Sequence, residues 1–578
     1  MRPRGRALLA WLLLAAASAG LLGVSWGRWS DAIVDSGREW IVPDGLARGE
    51  LLYRDVVYWF PPLTPYLHAA LFRAFGSGFG TLVLAGILTA LATIAALWLA
   101  LRKVTGRREA LLWCAVAVPA LVFMPAGGGA IIGMGYRIWQ AAALTLLAVG
   151  LAAKGRPTPA GALAAGLLSG LAGLCRTEWG LASLAACLLA MGVRRGWRGI
   201  LPPWLAAAGG AAAVFGVVAG AFVITAGPEA VVGDGHLLLT GIPEETRRFL
   251  RNASGLRDWP GGALRMIHSA SLFVAAWVLI EILAARGRGG PWLRSRWPWL
   301  AGAGSIVLLY GRYVGPWPMP AFSAAPLAGA VAAASGLSRR GPSAGALAAF
   351  GSLALVLSYR KPFSIADWPY VAPPLLFAIV AAAGLLRLAR ARAPAAVRRS
   401  LGAASALGLA ALSAAFFVTR AVTYRQDTRV PVEGTSRLLH AEPARAAWLA
   451  GAARTIREST GPDESLAVFP EGELLNFLAG RRNPMRHRLY LPGYLTEENE
   501  SVILEELSRA RPGAVVILNR STGEYGKARF GEDYGRSIAR WIASDYRLVA
   551  VEASAPTGNR LFLRRDVVVR TPGRNPVP

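Results

Sequence analysis

Long apolar runs separated by short basic connections fill the chain from Ala7 to Val422, and beyond that point the pattern changes. A bilayer core of about 30 Å takes about 20 apolar residues per helix. Windows of that length are centred near Leu14, Gly86, Val118, Leu146, Leu167, Leu188, Val217, Ala276, Ile306, Ala328, Leu353, Ala378 and Leu409. The pattern predicts about thirteen spanning helices. The first window follows Arg2, Arg4 and Arg6, as a secretory signal peptide would. Its apolar stretch is long, however, and its small residues at 17–20 lie inside it, so an uncleaved first span is expected.

After Tyr424 short apolar runs at 465–469, 514–518, 548–551 and 560–563 alternate with helical periodicity at 444–460 and 497–510. That alternation predicts a small α/β layer domain. The expected fold is a polytopic α-helical membrane protein with a C-terminal extracytoplasmic α/β domain, divided into 1–423 and 424–578. Two connections, 27–64 and 226–262, are long enough to carry chemistry outside the membrane.

Composition agrees with this reading: 54% of the residues are hydrophobic and only 17% charged, too apolar a balance for a soluble chain of 578 residues. The net charge of +28 would point to nucleic acid in a soluble protein. Here the basic residues sit in alternate connections: Arg102, Lys103, Arg107 and Arg108; Lys154 and Arg156; Arg194, Arg195 and Arg198; Arg286 to Arg296; Arg339 and Arg340; Arg387 to Arg399. One acid, Glu109, lies among them. Lys and Arg are retained on the cytoplasmic side during insertion. The N-terminus is therefore expected inside and the C-terminal domain outside, in the periplasm or beyond, and the charge reports topology rather than nucleic-acid binding. Cys114, Cys175 and Cys187 all fall in apolar helices, with no disulfide or zinc spacing.

The first outward connection carries the most informative chemistry. If the first helix continues past the membrane surface, Asp31, Asp35 and Glu39 share one face at successive i, i+4 positions. Stacked carboxylates at an interface call for a cation, a raised pKa or a functional need. The alternative is a solvated face partnered by Arg28 and Arg38.

Asp35 just beyond the first span, then Gly49, Tyr53, Asp55 and Pro61-Pro62-Leu63 opening the next membrane segment, is similar to the first luminal loop of the C-type glycosyltransferases. That superfamily includes the protein O-mannosyltransferases (glycosyltransferase family 39) and the lipid A aminoarabinose transferase. The order of spans and the exported domain fit as well. One departure concerns the loop acid: many members have a second acid directly after it, whereas Ser36 follows Asp35, and the second acid, Asp31, lies four residues earlier.

The resemblance implies a sugar donor on a polyprenyl phosphate, held in the membrane lipid at the outer face. It also implies a carboxylate base that deprotonates an acceptor hydroxyl, with inversion at the anomeric carbon. Asp35 is the first candidate base and Asp31 the second. Should a divalent cation be used, magnesium, manganese or calcium would suit the same pair.

Ionisable groups at span ends are functional candidates by default. Arg176, Arg312, Arg137, Arg360 and Lys361 are candidate ligands of the donor phosphate, with Glu178, Asp55, Tyr53, Tyr136 and His236 as further site candidates. Interfacial Arg and Tyr also serve as membrane anchors, and Arg176 with Glu178 can simply lock two helices. The exported tail has 23 basic and 19 acidic residues, is nearly neutral, and lacks a phosphate loop or nucleophile elbow. It is expected to guide an acceptor or to be structural. A competing reading is a transporter or flippase of lipid-linked saccharides, which would favour internal repeats and ionisable groups deep in the bilayer. No clear repeat is present.

Overall fold

The computed structural model describes residues 3–33, 36–124, 131–133, 136–153, 158–195, 199–229, 231, 244, 248, 260, 319–339, 343–358, 368–392, 395–552 and 558–567. The chain divides into two compact units. The first comprises Met1–Ser25, Gly86–Val218 and Ser254–Gln426, and the second Trp26–Ala85, Ala219–Ala253 and Asp427–Pro578.

The helices of the membrane region are α1 (Pro3–Ser25), α4 (Phe79–Val104), α5 (Arg107–Ala117), α6 (Tyr136–Ala152), α7 (Pro159–Cys175), α8 (Thr177–Arg195) and α9 (Leu201–Ala226). They continue with α10 (Met319–Leu337), α11 (Ala344–Ser358), α12 (Trp368–Arg392) and α13 (Ala395–Arg425). Among the described residues, five stretches are long and apolar enough to cross a membrane: Leu8–Ser25, Phe79–Val104, Leu201–Ala226, Ala372–Ala391 and Arg398–Arg425. Shorter apolar helices lie at Tyr136–Ala152, Pro159–Cys175, Thr177–Val193, Ala325–Leu337 and Ala344–Ser358. The chain is a multi-pass membrane protein. The expected span centres at Ala276 and Ile306 lie outside the described residues; every other centre falls on a helix or, for Val118, on the π-turn Val118–Val122 that follows α5.

That turn shows how backbone polarity is satisfied inside an apolar unit. Pro119 has no N–H to give to the carbonyl four residues back, so Ala115 is left with an open acceptor. Ser413 Oγ of α13 donates to Ala115 O at 2.7 Å. Arg420 Nε donates to Pro119 O at 3.2 Å, and the Tyr424 hydroxyl to Met124 O at 2.6 Å. Val116, Leu409, Leu412 and Phe416 seal the same α5–α13 seam. Nearby, Glu109, the lone acid of the basic connections, pairs with Arg390, and Arg387 donates to Val104 O at 3.1 Å.

The second unit combines the segment between α1 and α4 with the tail. That segment contains α2 (Ser36–Ala47) and α3 (Leu63–Phe75). The tail contains β1 (Val430–Pro431), β2 (His440–Ala441), α14 (Pro443–Ser459), β3 (Leu466–Phe469), α15 (Leu474–Ala479) and α16 (Glu500–Ala510). After these come β4 (Ala514–Ile517), α17 (Arg536–Asp545), β5 (Tyr546–Val551) and β6 (Arg560–Arg564). The four-stranded sheet has the order β3-β4-β6-β5, with β3 parallel to β4 and the remaining pairs antiparallel. All residues of β3 and β4 are buried, as their unbroken apolar runs require. Phe469, Val515, Ile517, Ile538 and Ile542 belong to one core that α16 and α17 cover.

Helix α1 does not continue into the loop, the condition on which a shared face of Asp31, Asp35 and Glu39 depended. It ends at Ser25, and Gly27 takes a left-handed backbone conformation with φ +72. A Cβ there would lie 2.1 Å from Arg437 O, so the turn is built for glycine. The following residues are held by the tail: His440 Nδ1 bonds Gly27 O at 3.1 Å, while Arg429 donates to Arg28 O at 2.8 Å and Ser30 O at 3.3 Å. Asp427 fixes Arg429 in turn, with Nη2 2.6 Å from Oδ2. Asp31 therefore lies before α2 and Glu39 inside it, and the three-acid helical face does not form.

Candidate functional site

The first loop is a framed structure whose shape follows from its own turn residues. Asp31 Oδ1 accepts the Ile33 N–H at 2.7 Å, closing a two-residue turn that Asp makes readily. Gly49, at φ +107, ends α2, and Asp55 then caps a tight loop: its Oδ2 accepts from Leu51 N at 2.8 Å while its own N–H reaches Leu51 O at 2.9 Å. Hydrogen bonding from Arg54 holds the Asp55 carboxyl below its usual range despite some opposing desolvation. Tyr53 is fully buried with φ 71, its hydroxyl donating to Phe60 O at 3.0 Å and its ring edge-on to Phe222 at 4.9 Å. Burial raises that phenol well above 10. Pro62 then starts α3 at its N-cap. The positions Gly49, Tyr53, Asp55 and Pro62 thus shape the loop.

The tail grips this frame through Arg486-His-Arg488. Arg486 donates to Tyr53 O at 2.8 Å and Arg54 O at 2.9 Å, and its own carbonyl accepts from Val57 N at 3.0 Å. Arg488, with its side chain 5% exposed, pairs with Glu50 at 2.6 Å and donates to Ile41 O at 3.3 Å. His487 Nδ1 bonds Glu506 of α16 at 2.8 Å, which ties the strap to the sheet domain.

A second contact joins α2 to the carboxyl edge of the sheet. Gly37 lies so close to α15 that a Cβ would meet Leu474 N at 2.3 Å. Arg38 approaches Glu471 at 3.8 Å, and Glu471 receives Arg520 Nε at 3.2 Å. Glu473 is fully buried beside them. Its Oε2 accepts from Gly472 N at 3.3 Å, and Oε1 makes no hydrogen bond among the described residues. Burial, and secondly the Glu471 carboxylate, push its pKa up to about 7 against the attraction of Arg38.

This raised value has a stability consequence. Between the ordinary carboxyl value of 4.5 and about 7, the folded chain keeps the Glu473 proton that the unfolded chain has released. Stability therefore falls as pH rises through that window and is unaffected below it. Glu473→Gln removes the penalty, which amounts to about 3 kcal/mol at most. Its melting temperature in detergent should exceed that of the parent chain at pH 8, with the gain vanishing near pH 4. A gain independent of pH would contradict the assignment.

In the first unit, Arg176 and Glu178 form the corner between α7 and α8, with Arg176 Nε 2.9 Å and Nη2 2.5 Å from Glu178 Oε1. Arg137 is half-buried in the first turn of α6, next to the buried Tyr136. Cys175 Sγ lies 4.0 Å from Gln140 Oε1, so this turn and the Arg176 corner are neighbours. Asp35, Arg312, Arg360, Lys361 and His236 lie outside the described residues. No group of three or more His, Cys, Asp or Glu able to hold a metal comes together among the described residues. Of the loop aromatics, Trp40 is an internal packing residue. Its Nε1 donates to Ser77 Oγ at 3.0 Å and its ring meets Phe477 at 5.1 Å.

Sequence reading did not find the Arg38–Glu471–Arg520 chain or the Arg486–Arg488 strap. The available signal was charge directly following a buried strand: Glu471-Gly-Glu473 after β3 and Arg520 after β4.

No family model and no curated protein sequence matches the chain. Solved structures do. The Archaeoglobus fulgidus oligosaccharyltransferase, in complex with Zn and sulfate, aligns over 96% of this chain and 73% of its own, with a TM-score of 0.51 and 14% identity. The same archaeon's AglB with an inhibitory peptide and a dolichol-phosphate aligns over 88% and 69%, at TM-score 0.48 and 14% identity. Cupriavidus metallidurans ArnT bound to undecaprenyl phosphate aligns over 97% and 98%, at TM-score 0.42 and 14% identity. The chain has the fold of the membrane-embedded C-type glycosyltransferases.

Proposed function

We propose that this protein is an inverting glycosyltransferase that moves a sugar from a polyprenyl-phosphate donor to an acceptor hydroxyl at the outer face of the cytoplasmic membrane. The observation that carries the reading is the frame around the first loop. Residues 28–30 are clamped by Arg429, residues 50–57 by Arg486 and Arg488, and α2 begins one residue after Asp35. A solvated connection needs no such framework; a carboxylate that must be aimed does. The shared fold adds support.

In this mechanism Asp35 takes the proton of the acceptor hydroxyl as its oxygen attacks the anomeric carbon. The bond to the phosphate oxygen breaks on the opposite face, its electron pair leaving with polyprenyl phosphate, and the configuration inverts. Asp31 already spends Oδ1 on the Ile33 N–H, which fits a supporting role and favours Asp35 as the base. Arg137 and Arg176, adjacent at one end of the first unit, would neutralise the departing phosphate, aided by Arg312, Arg360 and Lys361. Glu178 would orient Arg176. A magnesium, manganese or calcium ion at the Asp31–Asp35 segment would supply further charge neutralisation. About thirteen spans with the N-terminus inside would put the loop and tail on the donor's side.

The test is purified protein in liposomes supplied with polyprenyl-phosphate sugars and a panel of hydroxyl acceptors. Release of polyprenyl phosphate coupled to glycosylated acceptor supports the proposal. Transbilayer movement of intact donor without release replaces it with a flippase.

A further inference from the structure

The carboxyl edge of the sheet carries a basic cleft that the transfer chemistry does not use. Where β4 runs out at Ile517 and β6 begins opposite it at Arg560, the segment 529–532 folds over and leaves a small concavity. Arg520, Arg529 and Arg560 line it together with Asn519 and Glu532, and Phe530 forms part of its wall. The concavity lies at the carboxyl end of β4, one of the two parallel strands.

Three guanidiniums and one carboxylate, Glu532, line the cleft, and a second carboxylate, Glu471, pairs with Arg520. Among the described residues the Glu532 carboxylate pairs with Arg529 alone, at 3.6 Å, and both side chains are about half exposed, so the pair is weak and readily exchanged. Arg560 is half-buried and makes no ion pair or side-chain hydrogen bond among the described residues. A partly desolvated guanidinium without a carboxylate is costly unless an anion completes it. Arg520 is held in position by Glu471 at 3.2 Å, and Glu471 also faces Arg38 at 3.8 Å. The cleft is thereby linked through two side chains to α2.

We propose that this cleft binds a phosphate-type oxyanion carried by the acceptor, so that the exported domain selects anionic acceptors and presents them to the loop. The proposal rests on the glycosyltransferase reading for the word acceptor, though not for the anion site itself. Occupancy draws Arg520 toward the anion and loosens its hold on Glu471, which alters the Glu471–Arg38 contact at the start of α2.

The test is calorimetric titration of the full-length protein with inorganic phosphate in phosphatidylcholine nanodiscs, which present no net anionic headgroup. Saturable binding should weaken at least tenfold in the Arg529→Gln/Arg560→Gln variant and stay unchanged in Arg509→Gln, an exposed arginine of α16 paired to Glu505. The site lost in the double variant should persist in Arg176→Gln, which separates the cleft from the donor phosphate. Repeating the titration in phosphatidylglycerol nanodiscs identifies the source: competition indicates a lipid-borne phosphate, its absence a soluble one, and both support the cleft. Equal affinity in the double variant overturns it. Sugar transfer by a protein that binds no phosphate overturns the cleft alone. Phosphate binding lost in the double variant of a chain that transfers no sugar supports the cleft and overturns the glycosyltransferase reading.

Discussion

Arg488→Met lowers the stability of the second unit by about 3 kcal/mol, because it strips a desolvated cation from partners that stay behind. The Glu50 carboxylate, itself 30% exposed, loses a 2.6 Å pair, and the Ile41 and Met485 carbonyls lose donors at 3.3 Å. Methionine fills much of the space, so the loss is one of charge and hydrogen bonding rather than of volume. Glu50→Gln in the same background recovers part of the loss, since an amide does not leave an unpaired charge. The measurement is a double-mutant cycle on thermal melting in detergent, read beside proteolysis of the 48–57 segment. A melting temperature unchanged by Arg488→Met would show that the strap does not hold the loop.

Much of this architecture was legible from the chain because apolar periodicity is a local property. The continuous runs at 466–469 and 514–517 became buried parallel strands, and the apolar windows of the membrane region became helices wherever they are described. The helices α15 and α17 and the β1–β2 pair were not anticipated. They are short, and packing rather than local propensity decides them.

The loop failed for a different reason. Spacing would place Asp31, Asp35 and Glu39 on one face of a continuing helix, but the helix is broken at Gly27, where Arg429, Arg437 and His440, some 400 positions away, hold the chain. No i, i+4 argument contains that information. The similarity at Tyr53 and Asp55 was visible, whereas its meaning was not. A fully buried phenol with a left-handed backbone and an aspartate capping its own turn build the loop. The tail, read as a domain at 424–578 that guides an acceptor or is structural, packs with the loop in one unit, joined by ion pairs that no sequence pattern announces.

Asp35→Asn is expected to have the largest effect on catalysis. An acceptor hydroxyl is a poor nucleophile, and a positioned general base is worth about 10²–10⁴ in rate. The amide keeps size and polarity but cannot take the proton, so donor affinity should persist while transfer falls by at least about 100-fold. Asp31→Asn weakens the turn at Ile33 instead, since an amide oxygen still accepts that N–H though less strongly than a carboxylate. Its transfer rate should drop by less than about tenfold. The decisive measurement is single-turnover transfer in liposomes by the parent chain, Asp35→Asn, Asp31→Asn and the double variant, with donor binding and folding checked in each. The account predicts that donor binding is retained and transfer is lost wherever Asp35 is replaced; full turnover in the double variant would contradict it.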